Sequence, residues 1–491
     1  MFEVLAALHR HSEARPQDRA FLQDDLSLTY AELAARVGGL AQDLTALDSN
    51  VIAIYASNGL EWVIADLAVA CAGKTMVPLP TFFSPDQMRH VLANAEVGHI
   101  LTNADIAASA NALGLPVTAV HLDGPTAALR EENNRGRDAG RIIYTSGTTG
   151  APKGVRLGDR QIAASAKGLL AASGASEKDR YLSVLPFSLL LEQIAAIALP
   201  ILAGAPVTIA PNAMMAALQG DTMALVNAFE TAFDHQGATA SVLVPGLLDA
   251  WVKTLAATGK TAPGSLRFVA VGGAPVNSDL AQSAWHLGVP VHEGYGLSEC
   301  CSVVSVNRPG RRVAGSVGEP IPGLSVTLDD GEIVVHGDTV MSGYLGHDVD
   351  PNGVWRTGDL GVFTAEGALR IMGRKDNLIV TPAGRNISPE WVEGLCEANP
   401  TVAKAVLTQV DGHGLVLIVL ASASTPDTAL ALDTFLQTQY AKLPDYARPD
   451  HTAIINRTDV AEHQLLTPLG DARRAQCLDF AQKWAARQNA A

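Results

Sequence analysis

Short apolar, β-branched runs alternate with longer stretches of helical periodicity through much of the chain. The runs Val51 to Tyr55, Thr75 to Pro78, His99 to Thr102, Val117 to His121, Val207 to Ile209, Val242 to Val244 and Phe268 to Val271 have strand length and lie between segments long enough for helices. That alternation predicts an α/β fold. Around Ser325 to Val335 the pattern changes to that of antiparallel strands. Two helix starts stand out: Ser84-Pro85-Asp86-Gln87 and Ser388-Pro389-Glu390, each a capping serine followed by proline at the first helical position. Beyond Arg374 to Asp376 the chain has its own strands, Ala405 to Gln409 and Leu415 to Leu420, and is long enough for a small α/β domain. A lobe boundary is expected there.

From Gln193 to Gly220 no charged residue occurs. A membrane-spanning helix needs about 20 apolar residues. Pro200, Gly204, Pro206 and Pro211 break this run into short pieces, so it predicts buried core and no membrane span. The polar, charge-rich stretch from Gly124 to Arg141 predicts a surface connection. At 491 residues more than one domain is expected. The apolar fraction of 48% and the charged fraction of 17% suit a globular protein with a large core. A net charge of −15 argues against a nucleic-acid partner and leaves nucleotide binding open. The five cysteines, Cys71, Cys300, Cys301, Cys396 and Cys477, show neither C-x-x-C nor metal spacing, which predicts a reduced, cytoplasmic setting. No basic segment followed by an apolar one opens the chain, so no signal peptide is expected.

The most informative chemistry lies in Tyr144-Thr145-Ser146-Gly147-Thr148-Thr149-Gly150-Ala151-Pro152-Lys153. Hydroxyls donate to phosphate oxygens, glycines let backbone N–H groups approach closely, and the lysine adds positive charge. This composition predicts a polyphosphate-gripping loop, although the Walker spacing is absent. The segment resembles the phosphate loop of the adenylate-forming superfamily of acyl-CoA synthetases, peptide-synthetase adenylation domains and luciferase. Three further matches follow in the family's order. They are Tyr295-Gly296-Leu297-Ser298-Glu299, Arg356-Thr357-Gly358-Asp359-Leu360, and Gly373-Arg374-Lys375-Asp376 with Gly384-Arg385-Asn386-Ile387 after it.

The resemblance implies two N-terminal α/β subdomains with a small β-barrel, residues 1–375, and a small mobile C-terminal α+β lid, residues 376–491, turning about Asp376. It implies that ATP and Mg²⁺ are bound. Thr145, Ser146, Gly147, Thr148, Thr149, Gly150 and Lys153 would hold the β- and γ-phosphates, Ser298 the α-phosphate and Glu299 the Mg²⁺. Gly272, Gly273, Ala274 and Pro275 would line the adenine pocket, with Tyr295 and Gly296 beside it. Asp359 would accept the ribose hydroxyls and Arg374 would donate nearby.

Leu185-Pro186-Phe187-Ser188-Leu189-Leu190-Leu191-Glu192-Gln193 resembles the L-P-L-S-H-x-x-E-R segment of long-chain acyl-CoA synthetases. Leu189 replaces the usual histidine and Gln193 the usual arginine, and both changes make the region less polar. A hydrophobic, fatty acid is therefore expected, against a wall of Leu189, Val244, Pro245, Gly294, Leu297 and Cys300.

One departure is sharp. In Leu466-Thr467-Pro468-Leu469-Gly470-Asp471-Ala472-Arg473-Arg474, Asp471 stands where the family carries a lysine that stabilises charge during adenylation. Three readings follow: slow adenylation with acyl transfer intact, replacement by Arg473 or another basic residue, or a weakened acyl-adenylate-binding protein acting with a partner. The expected activity is ATP-dependent ligation of an acid to a thiol, either coenzyme A or the phosphopantetheine of an acyl carrier protein. An amine would attack the same adenylate, and Arg385 lies where the family's lid meets the acceptor.

Overall fold

The structure is a computed structural model that describes residues 1–129, 140–145, 152–210, 229–231, 233, 237–347, 352–380, 385–397, 399, 401–421, 426–466 and 472–488. Among these, two sheets built on parallel strands form the body, as alternating strand-length and helical runs require. In the larger, nine strands lie in the order Glu319–Pro320, Ser305–Val306, Val291–Tyr295, Phe268–Val271, Ala240–Leu243, Tyr181–Ser183, Val207–Ile209, Arg19–Gln23, Leu26–Thr29. From Val291–Tyr295 to Arg19–Gln23 the pairing is parallel throughout. The second sheet has seven, in the order Gly343–Tyr344, Lys153–Gly158, Gly140–Thr145, Thr75–Pro78, Val51–Ile54, His99–Thr102, Val117–Ala119. Its first two strands are antiparallel to their neighbours and the rest are parallel.

Each apolar run predicted to be a strand is one, with its ends displaced by no more than three residues. The helix Pro85–Asn94 starts as expected: Ser84 Oγ accepts from Gln87 N at 3.2 Å and Gln87 Oε1 accepts from Ser84 N at 2.9 Å. Large side chains such as Trp62, Phe187 and Trp251 fill the space between sheets and helices. The uncharged stretch continues a helix opened by Leu190–Glu192, through a π-helical Gln193–Ala198 and Leu199–Ala203, and is followed by the strand Val207–Ile209. Residues 211–228 lie outside the described ones. No helix among the described residues is long and apolar enough to cross a membrane.

A third, antiparallel sheet follows in the order Leu324–Asp329, Glu332–Gly337, Val354–Phe363, Leu369–Arg374. Among the described residues this is the form taken by the small β-barrel that the resemblance implied. After it, the strands Val402–Val410, Gly414–Ala421 and His451–Ile455 carry the helices Pro389–Glu397 and Arg474–Gln488. Buried apolar residues from Ile379 to Ala485 form clusters of their own, and the clusters of the preceding chain end at Ile371.

Glu192 is wholly buried, accepting from Ser183 Oγ at 2.5 Å and Tyr181 Oη at 3.2 Å. Burial pushes its carboxyl from 4.5 up to about 8 against these donors. The folded chain therefore holds a proton there that the unfolded chain releases. Its contribution to stability is full below the ordinary carboxylate range and is lost as pH rises to about 8. Glu192→Gln is expected to flatten the fall of unfolding free energy over that window, by at most about 1.4 kcal/mol per pH unit, and with it the fall of Tm. Thermal unfolding followed against pH checks this; an unchanged slope would refute it.

Candidate active site

Parallel pairing brings several chain segments to one rim. Ser241 lies opposite Leu182, Leu243 opposite Val271, and Val271 opposite Glu293. The segments leaving those strands, Val184 to Leu189, Val244-Pro245, Gly272 to Pro275 and Gly294 to Leu297, therefore sit beyond the carboxyl ends of adjacent strands. Open α/β sheets place their binding crevice there. Two of these turns need glycine. Gly273 has φ +86°, and a Cβ on Gly296 would stand 1.5 Å from Ser302 O. Gly273, Ala274 and Pro275 are exposed, while Leu189, Val244, Pro245, Gly294 and Leu297 are half-buried. Cys300 differs from the rest of the expected acid wall. It is fully buried with Val304, Ile333 and Leu369, burial holds its thiol well above the usual range, and it presents no surface to a substrate.

The third sheet meets this rim at Tyr295, whose Oη donates to Asp359 Oδ2 at 2.5 Å. Arg374, the register partner of Asp359, approaches its Oδ1 at 3.2 Å. Thr357 Oγ1 accepts from Asp359 N at 3.0 Å and donates to Ile333 O at 2.9 Å, which fixes the turn. Burial raises the pKa of Asp359 against the Tyr295 hydrogen bond and the Arg374 charge. Burial, reinforced by Asp359, also raises that of Tyr295, so the phenol remains a donor. Asp359 is thus more than a turn residue: its carboxylate is held between a phenol and a guanidinium.

On the phosphate side, Gly140–Thr145 and Lys153–Gly158 form an antiparallel pair with Thr145 opposite Lys153. Ser146, Gly147, Thr148, Thr149 and Gly150 lie between them and outside the described residues. Lys153 Nζ stands 5.7 Å from the centroid of the Tyr344 ring, a cation–π contact. Tyr344 Oη donates to Glu299 Oε1 at 2.7 Å. Ser298 and Glu299 occupy the single turn Ser298–Cys300 that follows Tyr295. Lysine, tyrosine and the proposed metal-binding carboxylate thus form a chain joining both large sheets.

Sequence reading missed Tyr344, because it belongs to no motif singled out there; the one signal was an aromatic hydroxyl after Gly343, shortly before Arg356-Thr357-Gly358-Asp359. Tyr344→Phe is expected to leave the fold intact and weaken Mg²⁺ dependence by about tenfold, the effect of losing one hydrogen bond to a charged group. A Mg²⁺ titration of pyrophosphate release measures this, and an unchanged midpoint would disprove it.

Glu332 was also missed. Its buried carboxylate accepts from Arg356 Nη2 at 2.8 Å, Lys375 Nζ at 3.0 Å and Gly358 N at 3.2 Å. It joins the Thr-Gly-Asp turn to the residue preceding Asp376, which lies exposed in the turn Lys375–Asn377. Asn377 Nδ2 donates to Glu390 Oε1 at 2.5 Å. Asp471 lies outside the described residues. Of the arginines after it, Arg474 pairs with Glu390 at 3.1 Å and Glu393 at 2.9 Å, and Arg473 donates to Gln464 at 3.3 Å. Arg385 stands 5.3 Å from the centroid of the Tyr446 ring.

The family model described as AMP-binding enzyme matches residues 8–345. A long-chain-fatty-acid–CoA ligase, FadD15, of Mycobacterium bovis is 30% identical over 458 residues, covering 77% of this chain and 75% of its own. A 2-succinylbenzoate–CoA ligase of Bacillus licheniformis is 29% identical over 442 residues, covering 82% and 86%. Among solved structures, the O-succinylbenzoate coenzyme A synthetase of Bacillus subtilis, in complex with ATP and magnesium ion, shares the fold. Its TM-score is 0.80 at 24% identity, over 96% of this chain and 99% of that one. With its strands, turns and four motifs in the order described, the chain belongs to the AMP-binding enzyme family.

Proposed function

We propose that this chain activates a hydrophobic, fatty carboxylic acid with ATP, releasing pyrophosphate, and passes the acyl group from the adenylate to coenzyme A. It is an acid–thiol ligase of the AMP-binding family; the fatty character of the acid and the roles of individual residues are the proposal. One observation carries the roles. Lys153, Tyr344 and Glu299 form a contact chain beside Tyr295, which bonds Asp359, so basic, carboxylate and aromatic groups from three sheets meet at one rim.

These residues suit the substrates. Thr145 and Lys153, with Ser146 to Gly150 between them, hold the β- and γ-phosphates. Ser298 meets the α-phosphate, and Glu299 holds Mg²⁺, an ion commonly bound by one or two carboxylates together with phosphate oxygens. When bound, Mg²⁺ supplies charge neutralisation on the phosphates. Gly272 to Pro275 and Tyr295-Gly296 cradle the adenine, and Asp359 and Arg374 meet the ribose. The acid lies against Leu189, Val244, Pro245, Gly294 and Leu297. Positioning two anions against each other is most of the chemistry. Residues 376–491 act as a lid that turns about Asp376 between half-reactions, a division supported by the separate apolar clusters on either side.

Two kinds of acid are acted on by the relatives, one fatty and one aromatic. Leu189 and the lack of a charged group on the expected wall favour the fatty one. Asp471 supports a second reading, in which the chain binds an acyl adenylate better than it makes one and serves a partner such as an acyl carrier protein. Pyrophosphate release is to be measured with ATP and Mg²⁺ across aliphatic acids of increasing length and aryl acids, with coenzyme A, with phosphopantetheinylated carrier protein and with neither. Release favouring longer aliphatic acids and stimulated by coenzyme A supports the proposal. Release with aryl acids alone overturns the fatty assignment. No release with any acid, while ATP still raises Tm, favours the second reading.

A further inference from the structure

The segment carrying Leu189 is held from behind by polar side chains that its apolar sequence conceals. Asn58 Nδ2 donates to Leu185 O at 2.7 Å, and its Oδ1 accepts from Phe187 N at 2.8 Å. Gln193 Nε2 donates to Phe187 O at 2.9 Å. On its other side, Gln193 Oε1 accepts from Arg141 Nη1. The Arg141 guanidinium pairs with Asp66 at 2.9 Å. Asp66, Arg141 and Gln193 are all buried. Leu189 O closes the arrangement by accepting from Glu192 N at 3.1 Å and Gln193 N at 3.2 Å.

This network changes the meaning of Gln193. Exchange of the usual arginine for glutamine looked like a loss of polarity, but Arg141 brings a guanidinium to the same place from the strand Gly140–Thr145. An arginine at 193 would set two buried cations side by side, at a high desolvation and repulsion cost. A primary amide has one accepting and one donating end, whereas a guanidinium only donates. Arg141 therefore turns Oε1 of Gln193 towards itself, and Nε2 is left to face Phe187 O. Asp66 in turn orients the guanidinium. Arg141 belongs to the strand Gly140–Thr145, which leads into the phosphate loop.

We propose that Gln193 is a positioning residue for acid selection. Through the buried relay from Asp66 to Arg141 to Gln193 to Phe187 O, it ties the segment ending at Leu189 to the strand ending at Thr145. The proposal rests on the reading that Leu189 lines the acid site.

The test uses the full chain with Gln193→Met, which keeps the side-chain volume and removes both hydrogen bonds. We expect kcat/KM to shift unequally across a series of aliphatic acids, by about tenfold between the most and least affected. KM for ATP should stay within about twofold of the parent, since the nucleotide groups are untouched. Amide exchange of the peptide spanning Val184 to Leu189 should quicken. An acid profile and exchange rate equal to the parent's would overturn the proposal. Should this variant fail to fold, Asp66→Asn, which loosens the guanidinium without removing it, is read the same way. Leu189→Ala separates the two claims. If it leaves the acid profile unchanged, the wall assignment falls; if it alters the profile while the Gln193 and Asp66 variants do not, the relay falls.

Discussion

Asp359→Ala is expected to lower kcat/KM for ATP by roughly 10²–10⁴. The carboxylate accepts from Tyr295 at 2.5 Å and faces Arg374 at 3.2 Å in a turn fixed by Thr357. A planar pair of oxygens held this way is preorganised to take two ribose hydroxyls, and a hydrogen bond to a charged group contributes about 1.5–3 kcal/mol. Two such bonds give the range stated. Asp359→Asn keeps one accepting oxygen and should be affected less. Pyrophosphate release measured against ATP concentration decides the matter. A KM for ATP unchanged in both variants would remove Asp359 from the nucleotide site and leave it a role in joining sheets.

Asp471→Lys is expected to raise the single-turnover rate of adenylate formation by about 10²–10³. One preorganised donor at a developing charge has that effect, and a carboxylate at the lysine's expected place would add repulsion towards the triphosphate. A neighbouring cation offers limited compensation: Arg474 is engaged by Glu390 and Glu393. Acyl transfer from preformed adenylate to coenzyme A should change little in the same variant, because the lid would present its hinge face for that step. Quenched-flow measurement of acyl-AMP, with labelled acid, reads the first step alone. A rate equal to the parent's would show that adenylation in this chain runs without a group at position 471.

Most of the fold was legible in the sequence, because strand-length apolar runs bounded by turns allow little else. Thr75–Pro78, His99–Thr102, Val207–Ile209 and Phe268–Val271 match the predicted strands residue for residue. The candidate site was legible where its proposed residues cluster within a motif, as in Tyr295 to Glu299. It was not legible where chemistry depends on two distant residues meeting. Tyr344 lies 45 residues from Glu299 and forms no pattern with it. Glu332 serves Arg356, Gly358 and Lys375, none of which lies near it in sequence. Gln193 was misjudged for the same reason. Its polarity is completed by Arg141, 52 residues earlier, and a local reading of Leu189 to Gln193 registers only the lost charge. Cys300 shows the opposite limit: it was expected on the acid wall, but it is buried among Val304, Ile333 and Leu369, with which it shares no recognisable motif.

The pairing of Thr145 with Lys153 bears on how readily the loop between them can be altered. Both residues are gateposts set by a sheet ladder, with Ile143 opposite Val155 and Tyr144 opposite Gly154 behind them. Residues 146–152 begin and end on that frame. A transplanted stretch of different length or composition would start and finish at the same two points, leaving the hydroxyl and the ammonium where they stand. A stretch exchanged there with a relative's would test the proposed grip on polyphosphate while both flanking residues stay paired.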